Sequence, residues 1–158
     1  MDNKDASVNL FVYGTLRLEE RQRITPDRFD VPAFRHNAFL ETGKILDDAP
    51  FLGFATTSGK LFDVGRYPGL IEGEGQVYGE VYQVESDGLS MIDLLEGFDP
   101  ENLSESHYLR QEVELMVNGN EKLNGEAYYY NLEIDHLPLI PSGDYSQYLE
   151  AQRSLENP

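Results

Sequence analysis

The sequence predicts an α+β fold, a small mixed β-barrel flanked by short helices. Apolar or alternating runs recur before, between and after two modest helical patterns, hairpin signals dominate the second half, and 158 residues with 40% hydrophobic content suit one compact domain.

Val8 to Tyr13 is an apolar run ending at Gly14, the pattern of a buried strand that enters a tight turn. Glu19 to Arg35 is polar and interrupted by Pro26 and Pro32, which reads as loop with one helical turn. Ala38 to Ile45 and Lys60 to Val64 read as strands, and the glycine-rich stretch Gly65 to Gly75, with Pro68, as loop. Gln76 to Val84 alternates, with Val77, Gly79 and Val81 sharing one face of a strand.

Asp87 offers a helix N-cap, Leu89, Ile92 and Leu95 follow at helical spacing, and Gly97 supplies the stop. Tyr108 to Val117 alternates again, and a turn-rich segment from Asn118-Gly119-Asn120 to Asn124-Gly125 joins it to Glu126 through Tyr130 as a hairpin. Pro138 and Pro141 interrupt the chain before Ser142-Gly143-Asp144 leads into a last short helix with Tyr145, Tyr148 and Leu149. The organisation is a flexible N-terminus over residues 1–7, one domain over 8–152 and a tail over 153–158.

Several function classes drop out. No cysteine is present, so there is no disulfide framework, thiolate metal site or cysteine nucleophile. Twelve Lys and Arg against 29 Asp and Glu leave a net charge of −17, which repels phosphate backbones and anionic lipid. Neither nucleic acid nor membrane is an expected partner. The polar, acidic start and the lack of a long apolar run read as cytoplasmic. Five of the arginines, Arg17, Arg21, Arg23, Arg28 and Arg35, crowd the first quarter and either attract an acidic substrate or balance nearby acids.

Gly53 to Lys60 has five residues between its glycines where a phosphate loop has four, and Leu61 stands where Ser or Thr would bind magnesium. Gly73, Gly75 and Gly79 precede a strand instead of following one, against a dinucleotide fingerprint. His36, His107 and His136 are isolated, so no metal is expected, and no serine sits in a Gly-x-Ser-x-Gly elbow. Carboxylates, tyrosines and backbone amides remain.

Three features stand out among these. Tyr13-Gly14-Thr15-Leu16 ends a strand in a glycine turn that can present successive N–H groups to an anion, or can simply be a turn. Glu96 falls at the C-terminal end of a helix, where the dipole disfavours a carboxylate. Asp93, three residues earlier, adds like charge, and both effects are expected to raise the Glu96 pKa toward the range useful for acid/base catalysis. Tyr128, Tyr129 and Tyr130 alternate across a strand, so Tyr128 and Tyr130 share a face and Tyr129 takes the other, as core or as pocket wall.

In this order the motifs resemble the γ-glutamylcyclotransferase-like superfamily, especially its γ-glutamylamine cyclotransferase and plant avirulence-induced branch. The matching pieces are Phe11-Val12-Tyr13-Gly14-Thr15-Leu16-Arg17, Leu61-Phe62-Asp63 with Tyr67-Pro68-Gly69, Gly79-Glu80-Val81-Tyr82, Ile92-Asp93 with Glu96-Gly97, Tyr108-Leu109-Arg110, Tyr128-Tyr129-Tyr130 and Ser142-Gly143-Asp144-Tyr145. The resemblance covers most of the chain. It implies a small mixed barrel flanked by helices, no cofactor, and a small-molecule γ-glutamyl substrate cyclised to 5-oxoproline. The catalytic acid/base would be Glu96, and the substrate-binding residues Tyr13, Gly14, Thr15, Leu16, Arg17, Tyr108 and Tyr128. The polar stretch from Asp99 to His107 is longer than the family pattern, which bears on the leaving group. A non-catalytic binding module of the same fold and a carboxylate-dependent hydrolase are the rival readings. The oligomeric state has no signal in the residues.

Overall fold

A computed structural model describes residues 7–23, 33–65 and 67–156. In chain order it contains β1 (Ser7–Val12), α1 (Leu18–Arg23), α2 (Ala33–Asp48), β2 (Phe51–Asp63), β3 (Pro68–Glu85), α3 (Ser86–Glu96), β4 (Tyr108–Val117), β5 (Glu121–Tyr130), β6 (Leu139–Ile140) and α4 (Tyr145–Glu156). A 3-10 turn, Leu103–Glu105, precedes β4.

The five long strands pair in a closed circuit. β1 runs antiparallel to β3, β3 to β2, β2 to β4 and β4 to β5, and β5 returns parallel to β1 through Leu10 and Glu126. The sheet is therefore mixed and strongly curved, as expected, with the two-residue β6 appended at the end of β2. Side-chain alternation then makes two cores. Phe11, Val77, Val81, Val113, Leu115, Ala127 and Tyr129 point to the inside of the circuit. Leu10, Val12, Tyr82, Val84, Tyr108 and Tyr128 point outward, where Phe39 and Leu46 of α2 and Leu89 and Ile92 of α3 cover them.

Four readings change. Ala38 to Ile45, expected as a strand, belongs to α2. Its buried residues Ala38, Phe39, Thr42 and Leu46 recur at helical spacing, and α2 lies against α3 on the outer face of the sheet. Pro68 to Gly75, expected as loop, is the first part of β3. Pro68 to Ile71 pair with β2, Leu70 opposite Leu61 and Gly69 opposite Phe62, while Gly73 and Gly75 fall in the register shift opposite Ser58 to Lys60. Lys60 begins not a separate strand but the end of the 13-residue β2. The hairpin turn is shorter than expected, because the partner strand already begins at Glu121.

The expected helical turn near Glu19 is α1, and the loop with Pro26 and Pro32 lies outside the described residues, as does the N-terminus up to residue 6. The expected tail from residue 153 is helical as far as Glu156. No helix among the described residues is long and apolar enough to cross a membrane.

α3 ends as its sequence indicates. Gly97 takes the left-handed conformation at φ 69°, and the next residue, Phe98, returns its N–H to the Asp93 carbonyl at 2.9 Å. At the other end Glu85 occupies the N-cap without a side-chain bond, and Asp87 sits in the first turn, where its charge meets the positive end of the dipole. The helix stop leaves Glu96 as the last helical residue, beside the strand ends that carry Tyr13, Tyr108 and Tyr128.

Candidate active site

Each tyrosine reaches this end of the barrel by strand register, and each hydroxyl is anchored. Tyr13, one residue past β1, donates to the Tyr128 carbonyl at 2.6 Å and accepts the Leu70 N–H at 3.2 Å. Tyr108, first in β4, donates to the Pro68 carbonyl at 2.8 Å. Tyr128 donates to Asp93 Oδ1 at 2.6 Å. All three are almost fully buried. Tyr108 also lies edge-on to Tyr130, its partner in the β4–β5 ladder, with centroids 5.4 Å apart, and Tyr67 flanks it at 6.2 Å.

Glu96, half-buried, stands within electrostatic reach of all three phenols. Burial pushes Tyr13 well above the usual phenol range, and the Glu96 charge pushes it further against the pull of the Leu70 N–H. Tyr108 is raised by burial, then by Tyr13, then by Glu96. Tyr128 is raised by burial, by the charge and hydrogen bond of Asp93, and by Glu96, with Arg110 opposing. The three hydroxyls therefore stay protonated at neutral pH. Their protons point at fixed carbonyl and carboxylate acceptors, so toward a guest molecule the phenol oxygens are acceptors.

Asp93, expected as a bare like charge beside Glu96, is instead embedded in donors. Arg110 grips it with Nε on Oδ1 at 2.9 Å and Nη2 on Oδ2 at 3.2 Å, while Arg110 Nη1 reaches Glu126 at 2.7 Å. Arg110 and Tyr128 are direct cross-strand partners in the β4–β5 hairpin, so the turn at Asn118 to Asn120 sets this cluster. That register was the available sequence signal for Arg110 and Glu126.

Gly14 lies where only glycine fits. A Cβ there would stand 2.6 Å from two ring carbons of Pro68, so the turn after β1 packs directly on the start of β3. Its carbonyl closes the turn by accepting the Arg17 N–H at 3.0 Å. Thr15 is half-buried and Leu16 is buried in the outer core.

Arg17 is engaged by two carboxylates. Its guanidinium pairs with Glu80 at 3.2 Å and Asp144 at 3.0 Å, and Glu80 also accepts the Leu18 N–H and the Tyr82 hydroxyl. Glu80 and Arg17 line a separate cleft of about 430 Å³ with Arg21, Phe51, Phe54 and Tyr82. Neither Glu96 nor the three anchored tyrosines border that cleft, and its arginines are paired with its own acids. Among the described residues no group of His, Asp or Glu is arranged to hold a metal ion.

The family model described as gamma-glutamyl cyclotransferase, AIG2-like, matches residues 10–147. The chain belongs to that family. A Vibrio cholerae protein that carries a gamma-glutamylcyclotransferase name is 32% identical over 141 residues, spanning 87% of this chain and 95% of its own length. The gamma-L-glutamyl-butirosin B gamma-glutamyl cyclotransferase of Niallia circulans is 32% identical over 89% of this chain and 76% of its own. The crystal structure of YkqA from Bacillus subtilis superposes with a TM-score of 0.65 at 23% identity. It covers 94% of this chain but only 43% of YkqA, and it supports the fold. Within the cyclotransferase family match fall all the residues of the Glu96 end, from Tyr13 to Tyr128.

Proposed function

We propose that this member of the cyclotransferase family closes a γ-glutamyl amine or γ-glutamyl amino acid into 5-oxoproline and a free amine, with Glu96 as the acid/base. The observation that carries the reading is the Glu96 carboxylate at the end of α3, close enough to the buried Tyr13, Tyr108 and Tyr128 to act on all three.

The reaction needs no enzyme nucleophile, because the attacking group is tethered. The substrate's α-amine adds to its own γ-carbonyl carbon, a C–N bond forms in a five-membered ring, and the bond from that carbon to the leaving nitrogen breaks. Atoms balance without water. Glu96 takes the proton that the attacking nitrogen loses and delivers a proton to the leaving nitrogen, so one carboxyl serves both steps and ends as it began. The oxygens of Tyr13 and Tyr108, whose protons are committed to backbone carbonyls, orient the α-ammonium. Backbone N–H groups of Gly14, Thr15 and Leu16 hold the glutamyl carboxylate or the developing oxyanion. Arg17, tied to Glu80 and Asp144, organises the turn and is not assigned to substrate.

The test is release of 5-oxoproline from a panel of γ-glutamyl amines and dipeptides by wild type and Glu96→Gln. Loss of roughly 10²–10⁴ in kcat by a folded variant supports the reading. Binding without turnover by wild type replaces it with a recognition role, and free glutamate in place of 5-oxoproline makes the protein a hydrolase.

A further inference from the structure

The proposed mechanism uses one carboxyl, yet Asp93 and Glu126 lie close by, and the arrangement that keeps Asp93 out of proton transfer is specific. Asp93 is three residues before Glu96, one helical turn back along α3. It receives three donors, Arg110 Nε and Nη2 and the Tyr128 hydroxyl, the last at 2.6 Å. Arg110 in turn bonds Glu126 of β5 and lies 5.6 Å over the Phe98 ring, just beyond the helix stop. The Asp93 and Arg110 side chains are 14% and 21% exposed, dry enough for the pair to resist screening by solvent.

We infer that Arg110 is a positioning residue for Glu96: through Asp93 it locks the last turn of α3 onto the β4–β5 hairpin and leaves Glu96 as the carboxyl that exchanges protons. This rests on the acid/base reading of Glu96. A bidentate guanidinium fixes both the direction and the distance of a carboxylate, which an ammonium does not. Since Asp93 and Glu96 share a rigid helix end, fixing one fixes the backbone of the other. Glu96 interacts electrostatically with Tyr13 after β1, Tyr108 on β4 and Tyr128 on β5, Asp93 precedes it on its own helix, and Arg110 on β4 and Glu126 on β5 join this group through Asp93. Arg110 is the cation that compensates the two acids in this group.

The experiment compares wild type with Arg110→Met, following kcat and KM for 5-oxoproline release and the ¹³C NMR titration of the Glu96 carboxyl, assigned by its absence in Glu96→Gln. The expected result is a fall in kcat of about tenfold or more with KM changed by less than about threefold. The Glu96 midpoint should rise by about half to one pH unit, because Asp93 becomes an uncompensated negative neighbour. If Arg110→Met does not fold, Asp93→Asn, which keeps the side-chain shape, carries the same test with the midpoint moving down. A folded variant with wild-type kcat and an unmoved midpoint overturns the inference. If wild type itself makes no 5-oxoproline, the acid/base reading has failed, and the NMR midpoint alone decides whether Arg110 governs Glu96.

Discussion

Tyr13 and Tyr128, 115 positions apart, are joined by a 2.6 Å hydrogen bond from the Tyr13 hydroxyl to the Tyr128 carbonyl. The same oxygen accepts the Leu70 N–H, so one phenol links the ends of β1, β3 and β5 at the site. Tyr13→Phe keeps the ring but leaves a buried N–H and a buried carbonyl without this partner. A loss of about 1–3 kcal/mol is expected, read from the urea midpoint at constant m.

Gly14→Ala tests the contact between the turn and β3. The added Cβ meets the Pro68 ring at 2.6 Å, so either Pro68 or the turn must move. Destabilisation of about 1–3 kcal/mol is expected from overpacking. A larger proportional loss in kcat/KM than in stability would place the displacement at the substrate; unchanged kinetics would separate the turn from binding.

Arg17→Met should behave as a stability variant. Removing Arg17 leaves Glu80, whose side chain is 4% exposed, buried without its cation. The expected cost is about 3 kcal/mol in chemical denaturation, in the range for a broken buried pair. Among variants that stay folded, KM for the γ-glutamyl substrate is expected to hold; a selective rise in KM would return Arg17 to the substrate.

Alkaline pH tests the buried phenols. Tyr13, Tyr108 and Tyr128 have folded pKa values raised above the ordinary 10.0, chiefly by burial. A raised folded pKa means that the folded state holds the proton more tightly than the unfolded one. Their contribution is therefore complete below about pH 10 and is lost as pH rises beyond it. The urea midpoint should fall steeply above pH 10, and absorbance at 295 nm should show these tyrosines ionising together with unfolding.

Much of the site is legible in the amino-acid sequence because its signals are local. Helical spacing from Leu89 to Leu95 and a glycine at 97 are enough to end α3 at Glu96, and alternation alone separates Tyr128 from Tyr129. The hairpin is legible for the same reason, since its two strands alternate on either side of a glycine-bearing turn.

Other features depend on partners far along the chain. Ala38 to Ile45 is short and half-apolar, compatible with either period until packing on α3 and the outer sheet face selects the helix. Pro68 to Gly75 has loop composition, and the ladder that Pro68 to Ile71 make with β2 draws it into the strand. Arg17 reads from the sequence either as a cation for an acidic substrate or as a partner of nearby acids, because nothing local reveals Glu80 and Asp144, 63 and 127 positions away. By itself, then, the sequence determined the elements with local periodicity and stops, and with them the catalytic candidate. Tertiary structure alone decided which charges meet, because a guanidinium takes whichever carboxylates the closed sheet brings within hydrogen-bond distance, whatever their separation along the chain.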